Sequence, residues 1–138
     1  MDCLHPIWLK SGDLVPCGRC PRCRRNRQRD WTLRLRAERD AADFTLWLTL
    51  TIAPEYMDTL PDQTMCLSKE KPRHFFESLR KHYGSKVVFK HYLVSEYGDG
   101  TDRPHFHCLL FGYVPGAAPL DVLKIKNDVV DFITREGS

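Results

Sequence analysis

Glu96-Tyr97-Gly98-Asp99-Gly100-Thr101-Asp102-Arg103-Pro104-His105-Phe106-His107 is the stretch on which the fold turns. Residues 87–97 before it and 105–111 within and after it are rich in Val, Phe, Tyr and Leu and read as strands. The seven residues from Gly98 to Pro104 are turn formers, so the pair closes as an antiparallel hairpin. Side chains at i and i+2 of a strand share a face, so His105 and His107 project together while Phe106 turns toward a core. Two imidazoles are half of a divalent-metal site. Glu96, nine residues before His105, falls opposite the pair across the hairpin and adds an oxygen. Two nitrogens and one carboxylate leave coordination positions open for a substrate phosphate, which a closed structural site does not. A His-x-His pair alone reads equally as surface histidines on a two-sided strand. Glu96, the turn and Arg103-Pro104 tilt the reading to metal.

Outward from the hairpin, the period-two pattern recurs at Phe44-Thr45-Leu46-Trp47-Leu48-Thr49-Leu50-Thr51-Ile52, with apolar residues at every even position. That is a strand with one buried face and one face of hydroxyls and an indole. Residues 53–67 hold Pro54 and Pro61 and read as a long loop. A helix is predicted over 72–83, with Phe75, Phe76 and Leu79 inward and Gly84 as its stop. Another is predicted over 120–134. Residues 24–42 lack Pro and Gly and are rich in Arg, Leu and Ala, so they read as a helix too. The order predicts an α+β fold, an antiparallel sheet flanked by helices.

With 138 residues, 42% apolar and 28% charged, the chain is long enough to bury a core. No run approaches the roughly 18 apolar residues of a membrane span, and the first residues lack the basic and apolar regions of a secretory signal. Cysteines fall at 3, 17, 20, 23, 66 and 108. In a reducing compartment three of them within seven residues indicate metal, not disulfides. Cys3, Cys17, Cys20 and Cys23 suffice for a tetrahedral zinc site, with His5 as the alternative to Cys3. A four-iron cluster of the bacterial type calls for a cysteine at position 27, which is Arg. Cys66 and Cys108 read as loop or core thiols.

The net charge of +3 conceals segregation: residues 19–39 carry nine arginines, no lysine and two acids. Guanidinium pairs with phosphate in a bidentate fork, so this density points to nucleic acid over a merely solvated helix face. Arg24, Arg27, Arg34 and Arg103 are the candidate phosphate contacts. Trp47 and Tyr97 are candidate stacking surfaces.

Taken together, Pro16-Cys17-Gly18-Arg19-Cys20-Pro21-Arg22-Cys23, Arg27, Trp31, Arg34, Glu38, Leu48-Thr49-Leu50-Thr51, Glu96-Tyr97-Gly98 and Arg103-Pro104-His105-Phe106-His107 resemble the replication initiators of gokushovirus-type single-stranded DNA phages. These belong to the HUH endonucleases. The resemblance runs from Cys3 to about Gly112. It implies an HUH/Rep-like fold with a zinc-held arm over residues 1–23 and an endonuclease core over 24–138. It also implies rolling-circle initiation in the cytoplasm of a bacterial host: a metal (Mg or Mn) held by Glu96, His105 and His107 polarises a phosphate of single-stranded origin DNA, and a tyrosine attacks it. Thr49 and Thr51 take the family's first strand motif, in a positional role. Host replication machinery is an implied partner; a membrane is not. The family's nucleophilic tyrosine lies on a helix well after the His strand, and here no tyrosine follows Tyr113. The chain therefore reads as an initiator cut short of its nucleophile. The alternative is a zinc-stabilised single-stranded nucleic-acid binding module without catalysis. Nucleotide hydrolysis by a His-x-His-x-His motif fails at Leu109.

Overall fold

A computed structural model describes residues 2–100 and 103–136. Thr101 and Asp102 of the expected turn lie outside the described residues. The chain divides into two compact units, Met1–Ala41 and Ala42–Ser138.

The first unit holds a small antiparallel hairpin, β1 (Ile7–Trp8) and β2 (Leu14–Val15), with Ile7 opposite Val15 and Trp8 opposite Leu14. The sequence reading treated this arm as irregular. Strands of two residues carry no periodicity, and it is the turn at Gly12, with φ of 84°, that makes the pairing geometrically open. Helix α1 spans Pro21–Ala41. It begins before the predicted residue 24 because a proline at the first helical position gives up an N–H that has no partner there anyway. Among the described residues of this unit only Cys20 and Cys23 are buried. An apolar core is absent from it, so its order depends on what the cysteines hold.

The second unit is the α+β domain. Strand β3 (Phe44–Thr51) leads through a short 3-10 turn at Pro54–Tyr56 to α2 (Glu70–Tyr83). Strands β4 (Val88–Tyr97) and β5 (Pro104–Tyr113) follow, then α3 (Pro119–Glu136). Gly84 ends α2 with φ of 55°, its N–H bonding the Arg80 carbonyl at 2.8 Å. The sheet order is β3-β5-β4, all antiparallel. The hairpin strand β5 is therefore central, and it pairs with β3 across some sixty residues of chain.

Alternation sorts the sheet into two faces. Phe44, Leu46, Leu48 and Leu50 of β3, Phe106, Cys108 and Leu110 of β5, and Phe89 and Leu93 of β4 face α2 and α3. They pack with Phe76, Leu79, Tyr83 and Val129 into one core, in which Leu79, Cys108, Leu110 and Val129 are fully buried. Tyr83 buries its ring but keeps its hydroxyl satisfied, donating to Asp128 Oδ2 at 2.8 Å. Thr45, Trp47, Thr49 and Thr51, with His105, His107 and Leu109, and Tyr92, Val94 and Glu96, lie on the opposite face. This face carries the chemistry.

Candidate metal centre and nucleic-acid interface

Register places the three ligand candidates together. Glu96 is directly opposite His105 and Val94 opposite His107 in the β4–β5 ladder, while Thr51 and Thr49 flank the two histidines from β3. Glu96 Oε1 lies 2.7 Å from His105 Nε2 and 2.8 Å from His107 Nε2. Donors at cis positions around an ion with bonds of about 2.1 Å stand about 3 Å apart, so the spacing suits a small divalent cation.

The tautomers make the same point independently. His105 Nδ1 is 3.3 Å from the Arg103 carbonyl, and a carbonyl only accepts. Nδ1 must therefore carry the proton, which leaves the Nε2 lone pair aimed at a carboxylate oxygen. Two lone pairs at 2.7 Å require a cation between them, either a proton or a metal. Accordingly His105 is raised above the ordinary histidine value, first by the Arg103 carbonyl and then by Glu96. Bonds from His107 and His105 hold the Glu96 carboxyl below the usual range. His107 is braced on both sides: Thr49 Oγ1 is 3.3 Å from its Nδ1, and the Trp47 ring stacks on it at 5.6 Å between centroids. Trp47 is nevertheless 65% exposed, leaving indole surface open beside the three ligands.

The other candidates sort differently. Arg103 reaches back to β3, its Nη2 donating to the Ile52 carbonyl at 2.8 Å, so it ties the hairpin mouth to the end of the neighbouring strand. Tyr97 is half exposed but alternates onto the helix-bearing face, away from Glu96. Thr49 and Arg103 act here through contacts that spacing does not reveal: one through a register pairing with a residue 58 positions away, the other through its main-chain carbonyl.

In the first unit Cys3, Cys17, Cys20 and Cys23 bring their sulfurs within 4.8 Å of one another. The Cys3–Cys20 and Cys17–Cys23 separations are 3.9 and 4.0 Å, close to the about 3.8 Å edge of a tetrahedron with Zn–S bonds of about 2.3 Å. Backbone N–H groups already aim at the sulfurs: Cys17 N–H at Cys3 Sγ, and those of Arg19 and Cys20 at Cys17 Sγ. The Leu4 and Cys23 amides hold the Cys20 thiol down to about 6, whereas burial pushes Cys23 up to about 12. Four sulfurs this close cannot all ionise unless a cation sits among them, and the donor set fits zinc. His5 is not in the cluster. Cys108 is a buried core thiol and Cys66 a half-buried loop thiol, its N–H bonded to the Asp58 carbonyl. Of the arginines, Arg27 donates to the Gly18 carbonyl at 3.5 Å and Arg34 lies over the Trp31 ring at 5.5 Å.

Residues 45–135 match the family profile of the phage replication-associated protein ORF2, also described as the gene 2 protein. The chain belongs to that family. The matched segment of this replication-associated protein includes Glu96, His105 and His107 and leaves out the four clustered cysteines. Relatives include replication-associated protein VP4 of Bdellovibrio phage phiMH2K, 28% identical over 139 residues, covering 86% of this chain and 44% of the relative. Replication-associated protein ORF4 of Chlamydia phage 1 is 30% identical over 120 residues, 83% of this chain and 28% of the relative. Replication-associated protein ORF2 of Spiroplasma virus 4 is 29% identical over 116 residues, 81% and 34% respectively. The replication-associated chain described here thus spans less than half the length of these relatives. No solved structure matches it significantly. Among its described residues no helix is long and apolar enough to cross a membrane.

Proposed function

We propose that this chain is the metal-binding, strand-holding portion of an HUH-type rolling-circle initiator, acting on single-stranded origin DNA in phage replication. The observation that carries the reading is the shared Glu96 oxygen between two imidazoles whose tautomer and tilt are fixed from behind by Arg103, Thr49 and Trp47. Glu96, His105 and His107 would hold Mg²⁺ or Mn²⁺, which when bound supplies Lewis-acid polarisation of a phosphate. The chain's own residues do the rest: Trp47 offers a face on which a base stacks, and Arg24, Arg27 and Arg34 hold phosphates. In the transfer a phenol oxygen bonds to phosphorus and the 3′-oxygen leaves, giving a 5′-phosphotyrosine and a free 3′-hydroxyl. Functionally, residues 1–23 are the zinc-held arm and 24–138 the endonuclease core, with α1 running across that boundary.

A second reading, a zinc-stabilised single-stranded nucleic-acid binding module without catalysis, is favoured by the tyrosines. Tyr83 belongs to the core of α2, Tyr97 lies on the helix-bearing face, and α3 carries none. The deciding experiment is a denaturing gel with labelled single-stranded DNA and Mn²⁺. A covalent adduct lost in His107→Ala makes the chain a nickase with its own nucleophile. Mn²⁺ binding and DNA retention without an adduct support a metal-competent core whose phenol comes from elsewhere. DNA retention without Mn²⁺ binding leaves the binding module.

A further inference from the structure

The helix-bearing face of the sheet has a second concentration of donors that the metal centre does not use. A groove of about 420 Å³ runs between α2 and the β4 edge, lined among others by Lys69, Arg73, Phe76, Arg80, His91 and Ser95. Its floor is a stack: the His91 ring lies on Phe76 at 3.8 Å with 7° between the planes, and the Arg80 guanidinium lies over the same Phe76 ring at 5.9 Å. Arg80 Nη2 is 3.1 Å from His91 Nδ1. A guanidinium only donates, so Nδ1 accepts and neutral His91 carries its proton on Nε2. Burial and the adjacent guanidinium both lower the His91 pKa, which keeps the ring in this neutral form. The groove's acid, Glu77, is already engaged by Arg73 at 2.8 Å and faces His74 at 3.7 Å. Neither Lys69 nor Arg80 makes an ion pair among the described residues. The result is a floor with donors and uncompensated positive charge, with an aromatic base that holds Arg80 in place.

We propose that this groove binds a phosphodiester of the same DNA strand after that strand has passed around the β4 edge from the metal face. The topology supplies the path. β4 is an edge strand, so no neighbour blocks the route. Its alternation puts Glu96 on the metal face, while Ser95 and the half-exposed Tyr97 lie on the groove side. A strand leaving the metal meets Tyr97 as a stacking surface at the turn and then Arg80 and Lys69 as phosphate donors. The chemistry selects a single strand, because the paired bases of a duplex could not fold over an edge one strand wide. This inference rests on the proposed nucleic-acid reading and extends it to a second contact.

The test measures affinity for two fluorescent oligothymidines, one of about 6 and one of about 20 nucleotides, against salt. The full chain is compared with Arg80→Ala and with the exposed charge reversal Lys69→Glu, each checked for unchanged Mn²⁺ binding and melting. The inference expects both variants to lose roughly five- to tenfold in affinity for the long oligonucleotide, with a salt slope shallower by about 0.7 per lost contact. Binding of the short one should be unchanged. Wild-type affinity and slope for the long oligonucleotide in a folded Lys69→Glu overturn it. An equal loss for both lengths overturns it too, since the groove would then be the primary site. If the unaltered chain binds neither oligonucleotide, it is the parent reading that fails.

Discussion

The Phe44 ring lies across the β3–β5 ladder directly on Gly112, its register partner, so closely that a Cβ on Gly112 would enter the ring. Asp43 locks the same corner: its N–H bonds the Gly112 carbonyl, and its Oδ2 accepts from the Val114 N–H at 2.6 Å. Gly112→Ala should therefore cost about 1–3 kcal/mol by overpacking, and part of the loss should return when Phe44 is shortened to Leu. Urea midpoints of the two single variants and the double measure this. Additive losses would mean that ring and glycine do not interact.

The two metal sites should separate cleanly. His107→Ala should abolish Mn²⁺ binding and leave zinc stoichiometry intact, because the cysteines lie in a different unit. Thr49→Val removes a hydroxyl behind His107 and should weaken Mn²⁺ roughly tenfold, the usual scale for an outer partner of a metal-binding histidine. Metal analysis of dialysed protein and a Mn²⁺ titration read both. Loss of zinc in His107→Ala would count against two independent sites.

Removing zinc should disorder residues 1–41 without melting the α+β domain. Only two cysteines are buried among the described residues of the first unit, so the free energy that orders it comes from the metal. Under a strong chelator, limited proteolysis should cut within residues 1–41, and the cooperative thermal transition of the remainder should persist. An unchanged cleavage pattern would show that the arm holds itself.

Arg27→Ala should weaken single-stranded DNA binding at every sequence tested and flatten the dependence on salt by about 0.7 in log–log slope. A fluorescence anisotropy series at several salt concentrations is sufficient. If the slope does not move, Arg27 serves only its bond to the Gly18 carbonyl.

His91 gives the domain a pH dependence of known sign. Its pKa in the fold is lowered from 6.5 by burial and by Arg80, so the unfolded chain takes up a proton first as pH falls. Stability is fully present above about 6.5 and declines below it. His91→Gln should flatten the fall in urea midpoint between pH about 7.5 and about 5.5. An identical decline in the variant would assign the effect to other groups.

How much of this was legible beforehand depends on the range of the interaction. Strand β3, the β4–β5 hairpin and all three helices declare themselves through period and punctuation, and Gly84 stops α2 where a glycine should. The Glu96–His105–His107 cluster was legible too, because a hairpin converts sequence spacing into geometry. What pairs β5 with β3 is not local, so the bracing of His107 by Trp47 and Thr49 could not be read from spacing. The β1–β2 hairpin was missed because two residues per strand make no pattern. Tyr97 seemed close to the metal by number, but one step along a strand is a change of face. The early start of α1 was hidden by Pro21, a residue that ends helices elsewhere and opens them at their first position.

The centrality of β5 has a further consequence. A slip of one residue in the β4–β5 pairing would carry Glu96 to the far side of the sheet, and a slip in β3–β5 would strand His107 without Thr49. Three strands must settle in one alignment before three ligand atoms converge. A divalent ion at this position would thus act as a proofreader of folding: it rewards the one register in which the chain can work and leaves every neighbouring register unstabilised.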